Sequence, residues 1–199
     1  KYKIIDIPNS RKLHQKPLVR IGGTAILVGY FTSIFIARNI FPDLEVFISS
    51  FRILNIIFIS NLLVFILGFI DDIVSLSPFL RLTFQLIISS IIWGFGIKIA
   101  SLNLSIFNTI PAIDLASWQS LVLTSLTIVG LMNAINWIDG LDGLAIGVTI
   151  FSLISFLLVG QENNSEIANL IIPCLLGGCF SFYIFNRYPA KIMMGDSGS

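Results

Sequence analysis

Six stretches of this 199-residue chain carry no charged side chain: 21–37, 53–70, 82–97, 115–138, 143–161 and 167–186. A helix needs about 17–25 apolar residues to cross the ~30 Å hydrocarbon layer of a bilayer. Inside lipid every backbone N–H and C=O must be paired within the protein, which leaves helices and closed barrels as the spanning structures. A barrel would show ~10-residue segments of alternating polarity, and these runs are continuous. The expected fold is therefore all-α, a polytopic membrane helix bundle with about six transmembrane helices. The third stretch is the shortest and must borrow from Arg81 and Lys98 at its ends. Composition agrees: 55% of residues are hydrophobic, 12% are charged and mean hydropathy is +0.92, against roughly 25% charged in soluble domains.

Other function classes fall away on the same counts. The net charge of +1 gives no bulk attraction to nucleic acid. Cys174 and Cys179 lie in one apolar stretch and read as small core residues. A single histidine, His14, offers no zinc spacing. The chain opens at Lys1 and stops at Ser199 inside a polar motif, so it is expected to be one piece, 1–199, of a single integral-membrane domain that continues on both sides.

Six spans force the connections to alternate between two sides. One side holds residues 1–20 and the loops near 71–81 and 136–142, together with the tail after 186. Its basic residues are Lys1, Lys3, Arg11, Lys12, Lys16, Arg20, Arg81, Arg187 and Lys191. The other side holds only Arg38, Arg52 and Lys98. This split assigns the first side to the cytoplasm, with residues 1–20 carrying most of the bias. The stretch 102–115 then lies outside, as a hairpin or an interfacial segment.

The threading also sorts the acids. Asp71, Asp72, Asp139, Asp142 and Asp196 all fall at the inner ends of spans, whereas Asp43, Glu45, Asp114, Glu162 and Glu166 sit in loops of ordinary composition. Asp71 and Asp72 follow a span directly, where helix carbonyls already place partial negative charge, so something positive should compensate. A solvated loop pair is the plain alternative. Ser77 and Pro78 read as N-cap and first-turn proline of the next helix, which puts Arg81 in its first turn, either as an interfacial anchor or facing a bound anion. In NAINWIDGLDGLA, residues 133–145, Asn133 and Asn136 are three apart, as are Asp139 and Asp142, so each pair shares a face on helical backbone. Asp142 alone could also be the N-cap of the helix that follows. In FNRYPAKIMMGDSGS, residues 185–199, a proline blocks the span and a Gly-Asp-Ser-Gly turn follows Lys191; its amides suit phosphate and its carboxylate suits a metal. Hard oxygen ligands without His or Cys select Mg2+, with Mn2+ as the alternative, and such ions commonly arrive with substrate phosphates. The chemistry this suggests is phosphoryl transfer at a membrane surface, driven by positioning and charge neutralisation.

Four stretches in order, DIPNSRKLHQKPLVRIGG (6–23), GFIDDIVSLSPFLRLTFQ (68–85), NAINWIDGLDGLA (133–145) and FNRYPAKIMMGDSGS (185–199), resemble the polyprenyl-phosphate N-acetylhexosamine-1-phosphate transferase family. The opening stretch is more similar to its N-acetylglucosamine-1-phosphate branch than to its peptidoglycan branch. The resemblance implies a ten- or eleven-helix enzyme of the inner (plasma) membrane with its site on the cytoplasmic face. A UDP-sugar and Mg2+ would meet undecaprenyl phosphate there, giving the lipid diphospho-sugar and UMP in the first membrane step of an envelope polysaccharide. A homodimer is left open. By the same resemblance Asp196 and Asp71 are the magnesium ligands, and Asp71 also either deprotonates the lipid phosphate or acts nearby as a nucleophile. Asp72 is its essential neighbour. Asn136, Asp139 and Asp142 form the catalytic and diphosphate loop, Asn186 contacts uridine, and Gly22 and Gly23 form a loop that closes the site. Arg81 and Lys191 join the substrate-binding set.

Two positions depart from the family pattern. Arg81 stands where Lys is common, keeping the charge with another geometry, and Met193 stands where many members have a Phe ring near uracil. The resemblance also implies a helix before Lys1 and a later sugar-selecting loop, so this fragment is not expected to be active alone. Alternatives are the phospho-N-acetylmuramoyl-pentapeptide transferase of peptidoglycan synthesis and, from another class, an ion-coupled secondary transporter, for which acids nearer mid-membrane would be expected.

Overall fold

The computed structural model describes residues 5–6, 17–42, 45–102, 112–163 and 165–199, and it is helical along each of the uncharged stretches. Helices α1 (Gly22–Ile40), α3 (Phe51–Val74), α5 (Ser117–Ile138), α6 (Leu144–Glu162) and α7 (Glu166–Asn186) are each long and apolar enough to cross a membrane. Helix α4 (Pro78–Gly94) is apolar but shorter, at 17 residues; it occupies the stretch that was marginal in the sequence. A short α2 (Glu45–Ser49) precedes α3. The chain is a multi-pass all-α membrane protein. Lys1, Lys3, Arg11, Lys12, His14 and Lys16, and residues 103–111 of the outer stretch, lie outside the described residues.

The chain divides into two compact units, one drawn from 1–76 and 135–199, the other from 77–134. In the first, α7 packs against both α1 and α6. Gly178 permits the α1 contact, since a Cβ there would lie 3.1 Å from the Ile26 carbonyl oxygen; small residues at such crossings let helices gain dispersion contacts where lipid supplies no hydrophobic drive. The core gathers Ala145, Ile146 and Ile150 of α6 with Leu176, Cys179 and Phe182 of α7 and Met194 beyond it. Cys179 is a buried free thiol and Cys174 a half-buried one, packed as ordinary apolar residues.

A three-stranded sheet closes one end of this unit. Strand β2 (Leu18–Arg20) lies between β1 (Ile5–Asp6), antiparallel to it with Ile5 opposite Val19, and β5 (Ile192–Met193), parallel to it with Arg20 opposite Met193. The residues just before α1 are thereby tied to the segment just after α7.

Helix α3 runs one turn further than the uncharged stretch, ending at Val74 rather than near residue 70, so Asp71 and Asp72 sit within its last turn and not beyond it. Two local bonds set the end. Ser75 adopts a left-handed φ of 56° with its N–H on the Asp71 carbonyl oxygen, and Leu76 N–H donates to Asp71 Oδ1 at 2.7 Å. A side-chain acceptor thus substitutes for the missing next turn.

In the second unit, α4 begins as its sequence predicts, with Ser77 Oγ accepting from Leu80 N–H and Pro78 in the first turn. Four hydrogen bonds pair polar groups of this unit, while Ser125 Oγ of α5 (Ser117–Ile138) is buried with no partner among the described residues. Trp93 Nε1 donates to Ser120 Oγ (3.0 Å), Ser120 Oγ to the Ile99 carbonyl (2.7 Å), Ile99 N–H to Thr124 Oγ1 (3.0 Å) and Asn133 Nδ2 to Gln85 Oε1 (2.8 Å). The ends of the outer stretch pair antiparallel, as a hairpin would, in β3 (Ser101–Leu102) and β4 (Ile113–Asp114).

Candidate active site

Within the first unit, the starts of α1 and α6 and the last turns of α3, α5 and α7 meet at the segment 193–199. Glycines make the approach possible. A Cβ on Gly23 would run into the backbone of Ser197 and Gly198, and one on Gly68 of α3 into the Asp196 carbonyl. Gly195, at φ +77°, lies so close to Asp72 that a Cβ would sit 2.9 Å from Oδ2. Gly23 N–H donates to the Met194 carbonyl at 3.0 Å. Gly22 faces the Phe182 ring and Met193 oxygen, a Cβ there meeting both. Gly22 and Gly23 therefore form the floor on which the 193–198 segment lies.

Asp72 is buried, and each of its oxygens accepts a backbone N–H: Oδ1 from Asp196 and Oδ2 from Ser197, both at 2.9 Å. The helix-end acid thus fixes the turn that carries Asp196. Asn136, near the end of α5, reaches the same turn; its Nδ2 donates to Asp196 Oδ1 at 2.7 Å and to Ser199 Oγ at 3.0 Å. The next residue past α5, Asp139, is half-buried, and burial pushes its carboxyl up to about 7. The Arg20 guanidinium opposes that rise, while the charges of Asp196 and Asp72 add to it. Three carboxylates and one arginine thus act on one another across a small region.

Asp142 and Asn186 do a different job. Asp142 Oδ2 accepts from Ala190 N–H at 3.0 Å. The N-cap of α6 is Gly143, at φ +75°, rather than Asp142; only a left-handed residue lets the chain turn there while its own N–H points to Asn186 Oδ1, at 3.1 Å. Asn186 is buried and also donates from Nδ2 to the Ile192 carbonyl at 2.9 Å. Together they hold the 187–192 segment against the α5–α6 turn. The three-residue spacing does not give Asp139 and Asp142 a shared partner, because Gly140 N–H turns back to the Ile138 carbonyl and ends the helical repeat. Lys191 is exposed, and Met193 is half-buried in β5. Arg81 belongs to the other unit, in the first turn of α4 with its N–H on the Ser77 carbonyl. Among the described residues no group of three or more His, Cys, Asp or Glu side chains is close enough to enclose a metal by itself.

Two contributors escaped the sequence reading. Gly68 lies in an apolar run where nothing distinguishes a close-approach glycine from any other, and Arg20 entered only as one charge among nine. Its position two residues before Gly22 was the available signal.

Helix ends of a multi-pass membrane protein thus present carboxylates, amides and a cation to one small region, an arrangement suited to holding charged groups. The family model described as glycosyl transferase family 4 matches residues 54–199, and the chain belongs to that family. It is 30% identical over 198 residues, 98% of this chain and 51% of the relative, to a probable undecaprenyl-phosphate N-acetylglucosaminyl 1-phosphate transferase of Bacillus subtilis. It is 29% identical over 200 residues to a decaprenyl-phosphate N-acetylglucosaminephosphotransferase of Mycobacterium leprae, covering 96% of this chain and 50% of the relative. A phospho-N-acetylmuramoyl-pentapeptide-transferase of Halalkalibacterium halodurans is 30% identical over 201 residues, 94% of this chain and 59% of that protein. The chain spans about half the length of the curated relatives it matches.

Proposed function

We propose that the protein transfers a sugar 1-phosphate, N-acetylglucosamine 1-phosphate by its relatives' names, from a UDP-sugar to undecaprenyl phosphate with release of UMP. The site would face the cytoplasm across the inner membrane. The observation that carries this reading is the gathering of Asp72, Asp139 and Asp196 at the helix ends with Asn136 and Arg20 beside them. Acids at the ends of helices rather than mid-span favour an enzyme over a transporter.

A divalent cation fits this donor set. The carboxylates oppose one another's charge, their oxygens are hard ligands, and Mg2+ ordinarily takes one or two carboxylates with substrate phosphates and water completing its shell. Asp196 would hold it, the rest of its shell coming from substrate phosphate and water. Asp71, the second ligand expected from the sequence, has Oδ1 engaged at the end of α3. When bound, the ion would neutralise the diphosphate and make UMP a better leaving group. Asp72 works as a positioning residue, because both its oxygens are committed to the turn that aims Asp196. Asp139, poised near neutrality, is the group suited to take a proton from the attacking lipid phosphate. Asn136 steadies Asp196, while Asp142 and Asn186 fix the neighbouring wall.

The test is UMP release by the full-length protein in detergent, expected only when UDP-sugar, polyprenyl phosphate and Mg2+ are all present. Asp196→Asn should reduce the rate at least about a hundredfold. An unchanged rate overturns the metal assignment. A panel of UDP-sugars that includes UDP-N-acetylmuramoyl-pentapeptide separates the two branches to which its relatives belong.

A further inference from the structure

We infer that Arg20 is the phosphate-binding residue of this site, its guanidinium receiving oxyanions of a bound phosphate ester through the Nε edge. This rests on the transferase reading above, which sets Arg20 beside the carboxylates without saying what it binds.

Strand β2 is the middle strand of its sheet, with Arg20 in register with Met193 on one neighbour, and Gly22 and Gly23 begin α1 immediately afterwards. The backbone at Arg20 is therefore fixed from both sides, two residues from the glycine floor under the 193–198 turn. Its side chain is half-buried, and its Nε atom is fully buried with no hydrogen-bond partner among the described residues. A buried guanidinium N–H left without an acceptor loses its hydration with nothing in return, so natural proteins rarely leave one unless a ligand supplies the acceptor. The Arg20 charge reaches Asp139, so the guanidinium stands at the carboxylates of the site, where it needs an acceptor for Nε and an anion for its charge.

A phosphate group satisfies both needs. Its oxygens present two acceptors at the spacing of the guanidinium fork, and arginine binds such groups bidentately where lysine offers a point charge. Bound there, the ester would sit beside Asp196 and Asp139, where transfer is proposed to occur. The phosphate has two sources, the diphosphate of the nucleotide sugar or the monophosphate of the lipid, and the two can be separated kinetically.

The test uses full-length protein in detergent, wild type and Arg20→Lys, with KM measured separately for UDP-N-acetylglucosamine and for polyprenyl phosphate, and with binding of UMP and uridine compared by calorimetry. Loss of a bidentate charged contact should raise one KM about tenfold to a hundredfold. If the nucleotide is the source, the preference for UMP over uridine falls in parallel; if the lipid is, only its KM rises. Both KM values and the UMP-to-uridine ratio unchanged, whatever happens to turnover, overturns the inference and leaves Arg20 a structural cation. Should Arg20→Lys fail to fold, Asp139→Asn and the double variant Arg20→Met/Asp139→Asn remove the charge pair together. The double variant must then bind UMP or polyprenyl phosphate at least about tenfold more weakly than Asp139→Asn, and equal binding of both is again fatal. A wild-type protein that releases no UMP from any UDP-sugar refutes the functional reading instead, which is a separate outcome.

Discussion

Asp139 is the residue whose chemistry depends most on its surroundings. Its carboxyl stands at about 7 against the ordinary 3.8, chiefly through burial. The folded protein therefore keeps a proton that the unfolded chain would release. The stability this adds is complete below about pH 4 and lost as pH rises through 7, because over that window the folded state binds more protons than the unfolded state. In chelator-treated protein, infrared difference spectra should show a protonated-carboxyl band that disappears with a midpoint near pH 7 and is missing from Asp139→Asn. A carboxyl titration complete by about pH 5, the range of exposed acids, would sink this assignment. The residue's identity as a site acid was legible in the sequence from its place just past an uncharged run. Its proton affinity was not, since that depends on Arg20, Asp72 and Asp196, which stand 119, 67 and 57 positions away in the chain.

The helix ends are where elements convert sequence into geometry. The reading of α4 from Ser77 and Pro78 held because capping is local and its signal lies within four residues. The end of α3 came a turn later than the hydropathy implied, because charge marks where a helix leaves lipid and not where its hydrogen bonds stop. Asp142 was open to two readings for a similar reason: an acid before a helix suits an N-cap, but the left-handed Gly143 takes that position and frees Asp142 for Ala190. The α5–α6 turn and the segment after α7 then depend on Asn186, which uses its oxygen toward Gly143 and its nitrogen toward Ile192. Asn186→Asp keeps the shape but turns the buried donor into an acceptor facing a carbonyl. It should cost about 2–4 kcal/mol, read as a drop of several degrees in the temperature at which Cys179 becomes reactive to a thiol dye. Equal stability of wild type and variant would mean that this amide is not holding the two segments together.

At the scale of the whole molecule, orientation in the membrane decides whether the site can meet its substrates. Nine basic residues, five of them within residues 1–16, stand on the side assigned to the cytoplasm against Arg38, Arg52 and Lys98 on the other, and this bias is one guide to sidedness. Helix direction in the first unit gives a second: α1 and α6 start, and α3, α5 and α7 finish, at the end that holds Asp72, Asp139 and Asp196. Trp137 and Tyr188 are exposed at that same end, as aromatic residues at a membrane interface commonly are. Sidedness therefore follows for the whole site once one residue near it is located. In a background with Cys174→Ala and Cys179→Ala, Lys191→Cys should react with an impermeant maleimide only after cells are opened. Glu162→Cys, at the far end of α6, should react in intact cells. Labelling of Lys191→Cys from outside would put the carboxylates on the face that UDP-sugars, made and kept in the cytoplasm, do not reach, and the proposed reaction could not proceed in a cell however well the site were built.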